Sequence, residues 1–199
     1  MSTTRSTLLF VIASLCVCAA SAQDALTRED LKRQKIDLNA DEALGGLFEQ
    51  KGNARELFEK AAGYAVFSAT KAGFGLTGGR GTGVVVDKAT GKRTYMRMAT
   101  GGIGFGIGAQ QYDLVLLFEH EQQLDRFALG GWDASTTAQA AAGTDGLSFM
   151  SSFVNGVALY QITDRGLMAQ ADVSGTRFWI VDDLNQGTVQ QENVLANSP

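Results

Sequence analysis

Hydrophobic positions recur along this chain in three rhythms, and each predicts a different kind of element. Leu8 to Ala20 is a continuous apolar run of 13 residues. From Thr27 to Lys60 the apolar residues are spaced three or four apart, which predicts helices. Thr27 with Asp30 resembles a capping box and opens a helix to about Lys35, with Leu26, Leu31 and Ile36 inward. Asn39 with Glu42 opens a second, short helix bearing Leu44, Leu47 and Phe48, which Gly45 and Gly46 weaken by about 1 kcal/mol each. Asn53 with Glu56 opens a third, with Leu57, Phe58 and Ala61 on one face and Gly63 at its end.

Beyond Gly63 the period drops to two, the spacing of strands. Strands are predicted at Tyr64 to Phe67, Lys71 to Gly78 and Gly81 to Asp87. Asp87-Lys88-Ala89-Thr90-Gly91 has turn chemistry, so Lys92 to Met98 returns as a hairpin partner. A long strand follows at Gly102 to Phe118, with a bend or bulge expected at Gln110-Gln111. Glu121 to Leu129 reads as a helix, and Trp132 to Gly146 as a loop or a strand of small side chains. Strands at Val157 to Ile162 and Leu167 to Val173 are joined by the turn Thr163 to Gly166, and a last strand covers Arg177 to Val181.

Glycine sharpens this picture. Residues 71–108 hold half of the 24 glycines, alternating with Phe74, Leu76, Val84, Val86, Ile103, Phe105 and Ile107. Alternation leaves one strand face without side chains, and that weakens a strand unless something uses the space. Three occupants are open: another backbone packed close, a sharply coiled sheet, or a ligand. The expected fold is therefore α+β: an antiparallel, strongly coiled, glycine-rich sheet or small barrel with helices packed against it.

Charge and composition add the setting. Arg5, the apolar run and Ala20-Ser21-Ala22 together read as an export signal over residues 1–22, with the mature chain starting at Gln23. One domain is expected over residues 23–182, with its core at about 54–178, followed by a polar tail at 183–199. The run is too short for a comfortable transmembrane helix, and no other stretch of the sequence is apolar enough. Both cysteines, Cys16 and Cys18, fall in the signal, so no thiol chemistry is expected of the mature chain. The net charge is −4. That argues against nucleic acid as a partner, but not against anionic lipid, which a local basic patch can attract.

The candidate chemistry is sparse. Gly73 to Gly78 matches GxGxxG but is followed by strands, where a dinucleotide site requires a helix. His120 is the single histidine, and Ser148 lacks the glycines of a nucleophile elbow. No catalytic residue, metal ligand or cofactor is expected. The basic positions stand out instead. Arg28, Lys32, Arg33 and Lys35 lie on the first helix, which either rests on an anionic membrane or docks on the sheet. Lys71 and Arg80, with Lys92 and Arg93, lie near the glycine-rich strands and are guessed to share a patch.

A series of blocks in order resembles the SYLF domain, a lipid-binding family that includes a yeast actin-binding protein. The blocks are AAGYAVFSATKAGFG at 61–75, GGRGTGVVV at 78–86, GGIGFGIGAQ and DLVLLFEHEQQLDRF within 101–127, LGG at 129–131, and DRGLMAQADVSGTRF at 164–178. The resemblance implies a bacterial, exported member of the family, in the periplasm or secreted, or peripheral at a membrane. It implies a non-enzymatic module that binds anionic phospholipid or phosphoinositide-type lipid, with an actin-binding-like or other protein scaffold as the alternative. Lipid binding in the family is associated with an N-terminal amphipathic helix, which by position implicates Arg28 to Lys35. Lys71, Arg80 and Gly166 also match the family blocks.

Overall fold

The computed structural model describes residues 27–130, 152–163, 166–168 and 175–186. The expected export signal, the Trp132 to Gly146 segment, Ser148 and the tail beyond Gln186 lie outside the described residues. The elements run α1 (Arg28–Gln50), α2 (Gly52–Lys60), β1 (Gly63–Asp87), β2 (Arg93–Phe118), α3 (Glu121–Ala128), β3 (Val157–Thr163), β4 (Gly166–Met168) and β5 (Arg177–Ile180).

The helices start where the sequence says, but two expected helices are one. The Thr27 hydroxyl accepts from the Asp30 N–H at 3.1 Å, and the Asp30 carboxylate accepts from the Thr27 N–H at 3.0 Å, completing the capping box. α1 then runs through Asn39, Gly45 and Gly46 for 23 residues without a break. Ala40, Ala43, Leu44 and Leu47 are buried on one face across that stretch. Their packing outweighs the propensity penalty of two glycines.

The period-two region is likewise longer than its parts. The three strands expected between Tyr64 and Asp87 are one strand, β1, paired antiparallel with β2 from Gly63↔Phe118 to Val86↔Arg93. The turn between them forms as its sequence predicts. Asp87 Oδ1 accepts from the N–H groups of Ala89 (2.8 Å) and Thr90 (3.2 Å), and Gly91 takes φ +72°.

A straight strand of this length would span about 80 Å. Yet the two ends of β1 touch, with the Lys88 N–H donating to the Ala62 carbonyl at 3.1 Å. The hairpin is folded across its middle, where the register slips between Phe74 and Leu76. Gln110 and Gln111, where a bulge was expected, pair regularly with Lys71 and Thr70.

The strongly coiled sheet or small barrel is not found. The sheet is open, with order β1-β2-β3-β4, and β5 pairs the other half of the same edge of β2. Among the described residues its outer members β1 and β4 do not pair with each other. A barrel needs tilt and stagger carried evenly through every strand. Here the curvature is spent at one fold of one hairpin, and the remaining strands stay open. The α+β class and the antiparallel pairing stand.

Two hydrophobic clusters lie on the two faces. One joins α1 and α2 to Val66, Val84, Val86, Tyr95, Val115 and Tyr160. The other holds Phe67, Met96, Met98, Leu114, Leu116 and Phe118 under α3. In it the Phe127 ring of α3 sits 5.1 Å from Phe118 and 5.0 Å from Phe178, centroid to centroid. The segment after β5 is anchored too. Leu184 is buried, and the Asn185 side chain bonds both the N–H and the carbonyl of Tyr95, at 2.9 Å each.

Candidate functional site

The first helix is docked on the sheet, and its cations divide accordingly. Asp37 on the inward side takes the Arg93 guanidinium at 2.7 Å and a hydrogen bond donated by the Tyr95 hydroxyl at 3.0 Å. Burial, then the neighbouring Asp37 charge, pushes the Tyr95 phenol up to about 12. Arg33 is held as well. It pairs with Asp30 and donates to the Leu184 carbonyl at 2.9 Å, tying α1 to the segment after β5. Arg33 and Arg93 therefore serve the fold.

The outward side of α1 carries Arg28, Lys32 and Lys35, all exposed, one helical turn apart. Lys32 lies 3.8 Å from Glu29, an exposed pair of small worth. Leu31 lies between these cations and Leu38 one turn past Lys35, exposed to 52% and 62%. Basic side chains flanking apolar ones on a solvent face have the chemistry of an interfacial helix.

Lys71 and Arg80 lie at the other end of the sheet. Both flank the fold of β1, where the Lys71 backbone passes within 3.2 Å of where a Cβ of Gly79 would stand. Lys92 lies at the far turn, and Arg93 is committed to Asp37, so the guessed four-residue patch resolves into two separate places.

At Gly79, Gly81 and Gly83 the glycine face is filled by the strand's own backbone, whereas Gly78 and Gly101 have open space beside them. A Cβ on Gly81 would stand 2.7 Å from the Ser68 carbonyl oxygen, and one on Gly83 would overlap the Val66 carbonyl. At these positions the close-backbone alternative holds and no room is left for a ligand.

A polar cleft of about 400 Å³ remains between α1 and the sheet, lined by Asn39, Glu42, Ser68, Thr70, Gln111 and Asp113 among others. The Ser68 hydroxyl donates to Asp113 at 2.6 Å, with no histidine beside it to act as a base. His120 is exposed at the start of α3. Among the described residues no group of three or more His, Cys, Asp or Glu side chains could hold a metal ion. No helix of the described residues is long and apolar enough to cross a membrane.

Sequence reasoning overlooked Asp37, Tyr95 and Asn185. The signal for Asp37 was present: a carboxylate four residues after Arg33 and three before Ala40, on the face that Leu44 and Leu47 define. Nothing local marked Asn185 as a partner of Tyr95, which is 90 residues away.

The described residues thus form an α+β domain with an open antiparallel sheet and helices packed on it. Residues 99–198 match the Ysc84 family, described as Las17-binding protein actin regulators, and the chain belongs to this Ysc84/SYLF family. It is 38% identical over 165 residues to beta cell expansion factor A of Aeromonas veronii, covering 82% of this chain and 63% of that protein. It is 42% identical over 76 residues to SH3 domain-containing YSC84-like protein 1 of Xenopus laevis, and 37% identical to the human protein of that name over the same length. Those matches cover 36% of this chain and under a quarter of either vertebrate protein.

Proposed function

We propose that this chain is an exported module of a bacterial cell envelope that binds the surface of membranes rich in anionic phospholipid. One observation carries the reading: the outward side of α1, where Arg28, Lys32 and Lys35 lie beside the exposed Leu31 and, one turn further on, Leu38. Each basic residue near an anionic surface contributes about 1 kcal/mol at physiological ionic strength, and salt screens it. The leucines add apolar contact with the headgroup boundary. Export rests on the apolar run and small-residue site at residues 8–22.

The test is co-sedimentation with neutral and anionic vesicles at low and high salt. Binding to anionic vesicles alone, lost at high salt, is the expected result. The triple variant Arg28→Glu, Lys32→Glu, Lys35→Glu should then lose binding and keep its melting temperature. Arg33 is left intact because its contacts hold α1 to Leu184. Full binding by the triple variant would remove the helix from the mechanism.

The family's description as actin regulators favours a second reading, a protein-interaction module of actin-binding-like type. It predicts capture of filamentous actin or an envelope protein without lipid. Sedimentation with actin filaments in the absence of vesicles separates the two.

A further inference from the structure

The fold across the middle of the β1–β2 hairpin leaves an apolar tip, and we propose that this tip is a second membrane contact that inserts into the acyl boundary of an anionic bilayer. The inference rests on the lipid-surface reading above and adds to it a site at the opposite kind of element, a strand bend. Phe74 and Leu76, on either side of the register slip, are 76% and 75% exposed. Among the described residues they are the most exposed large apolar side chains of the sheet, and the alternating sequence gives no sign that they face solvent.

The bend that displays them is built in. A Cβ on Gly73 would overlap the Leu76 carbonyl, so the chain turns there only with glycine. The Thr77 hydroxyl donates to the Gly102 carbonyl at 3.1 Å and ties the far side of the bend to β2. The tip is thus a fixed protrusion of the sheet, which lowers the ordering cost of using it as a contact.

Charge selects the occupant. No acidic residue occurs from Lys60 to Val86 or from Lys88 to Tyr112, so both strands of the tip are free of carboxylates. The charged side chains nearest the bend along β1 are Lys71 and Arg80. Arg80 lines a shallow groove of about 510 Å³ with Thr70, Ala72, Gly78 and Gly79. An apolar point with a guanidinium and a hydroxyl behind it, on strand segments free of acids, fits a lipid: acyl chain at Phe74 and Leu76, phosphate at Arg80. A protein surface of ordinary mixed charge has no such requirement for carboxylate-free surroundings.

The experiment compares the parent chain with Phe74→Ser/Leu76→Ser on phosphatidylglycerol-containing and pure phosphatidylcholine vesicles. Binding of the double variant to anionic vesicles should weaken at least about tenfold, because two large apolar side chains no longer leave water. Both residues are exposed, so the melting temperature should hold. A Phe74→Trp variant gives the direct readout. Its added emission should shift blue on binding and be quenched by lipids brominated in the acyl chain, beyond any change in the parent's own tryptophans. If the parent binds anionic vesicles while the double variant binds equally well and the introduced indole is not quenched, the tip is overturned and the helix reading stands. If the parent binds neither vesicle, both readings fall.

Discussion

Two pairs of neighbouring glycine sites in this molecule look alike on paper and behave in opposite ways. Gly45 and Gly46 lie in the middle of α1, and nothing stands within 4 Å of where a Cβ on either would be. Gly81 and Gly83 lie in β1, and there the added atom would collide with the Ser68 or Val66 carbonyl. The first pair only weakens its helix, a cost that Ala43, Leu44 and Leu47 offset from the buried face. The second pair makes the architecture, because it lets the two halves of one strand lie against each other. Glycine thus reports a loss of local stability in both places, and a structural need in only one.

The sharpest way to break this comparison is Gly83→Ala. Its methyl group would meet backbone as well as the Phe67 ring, so neither neighbour can step aside. A loss of about 3 kcal/mol or more is expected. That corresponds to a fall of about 10 °C in melting temperature, and an unchanged melting temperature would show that the halves of β1 do not press together. Asp37→Ala tests what holds α1 in place. It strands the Arg93 guanidinium and the Tyr95 hydroxyl, both partly screened by solvent, and should cost about 1–2 kcal/mol in chemical denaturation. The companion Arg93→Ala/Asp37→Ala variant should recover part of that loss.

Gly45→Ala sharpens the comparison from the other side. It should stabilise by up to about 1 kcal/mol, raising the denaturation midpoint without changing its slope. Destabilisation there would mean that the helix needs its glycine after all. The smallest effect is the capping box. The Thr27 hydroxyl, then Arg33, holds the Asp30 carboxyl down to about 2. A carboxylate lowered in the folded state contributes stability that is whole above its unfolded value of about 3.9 and is lost as pH falls through the folded one. Between pH 4 and pH 2 the parent should therefore lose melting temperature faster than Asp30→Asn does.

The residues that were legible in the sequence are those whose partners are near in the chain. Thr27 and Asp30 gave the start of α1, Asp87 to Gly91 gave the hairpin, and Glu121 to Ala128 gave α3. The unbroken α1 was hidden because Asn39 with Glu42 has the spacing of a helix start and also fits a helix interior. The bend was hidden because period two is the same before and after it, so alternation alone put Phe74 and Leu76 beside core residues such as Val84. Of the cations, the sequence chose six and could not sort them. Arg33 turned inward to Leu184, Arg28, Lys32 and Lys35 stayed out, and Lys71 and Arg80 came to lie on either side of the fold of β1.

The sequence by itself determined the element types, the antiparallel hairpin at the centre, the family and the need for something close against the glycine face. Tertiary structure alone decided what that something is. Helix period, strand period and turn chemistry are set by interactions a few residues long, and they are written locally. Whether a glycine faces solvent, as Gly45 does, or the backbone of residue 66, as Gly83 does, depends on a contact that exists only after the hairpin has folded across itself. The same event turned an expected barrel into an open sheet with a protruding tip, since curvature concentrated at one bend leaves none to close the strands into a ring.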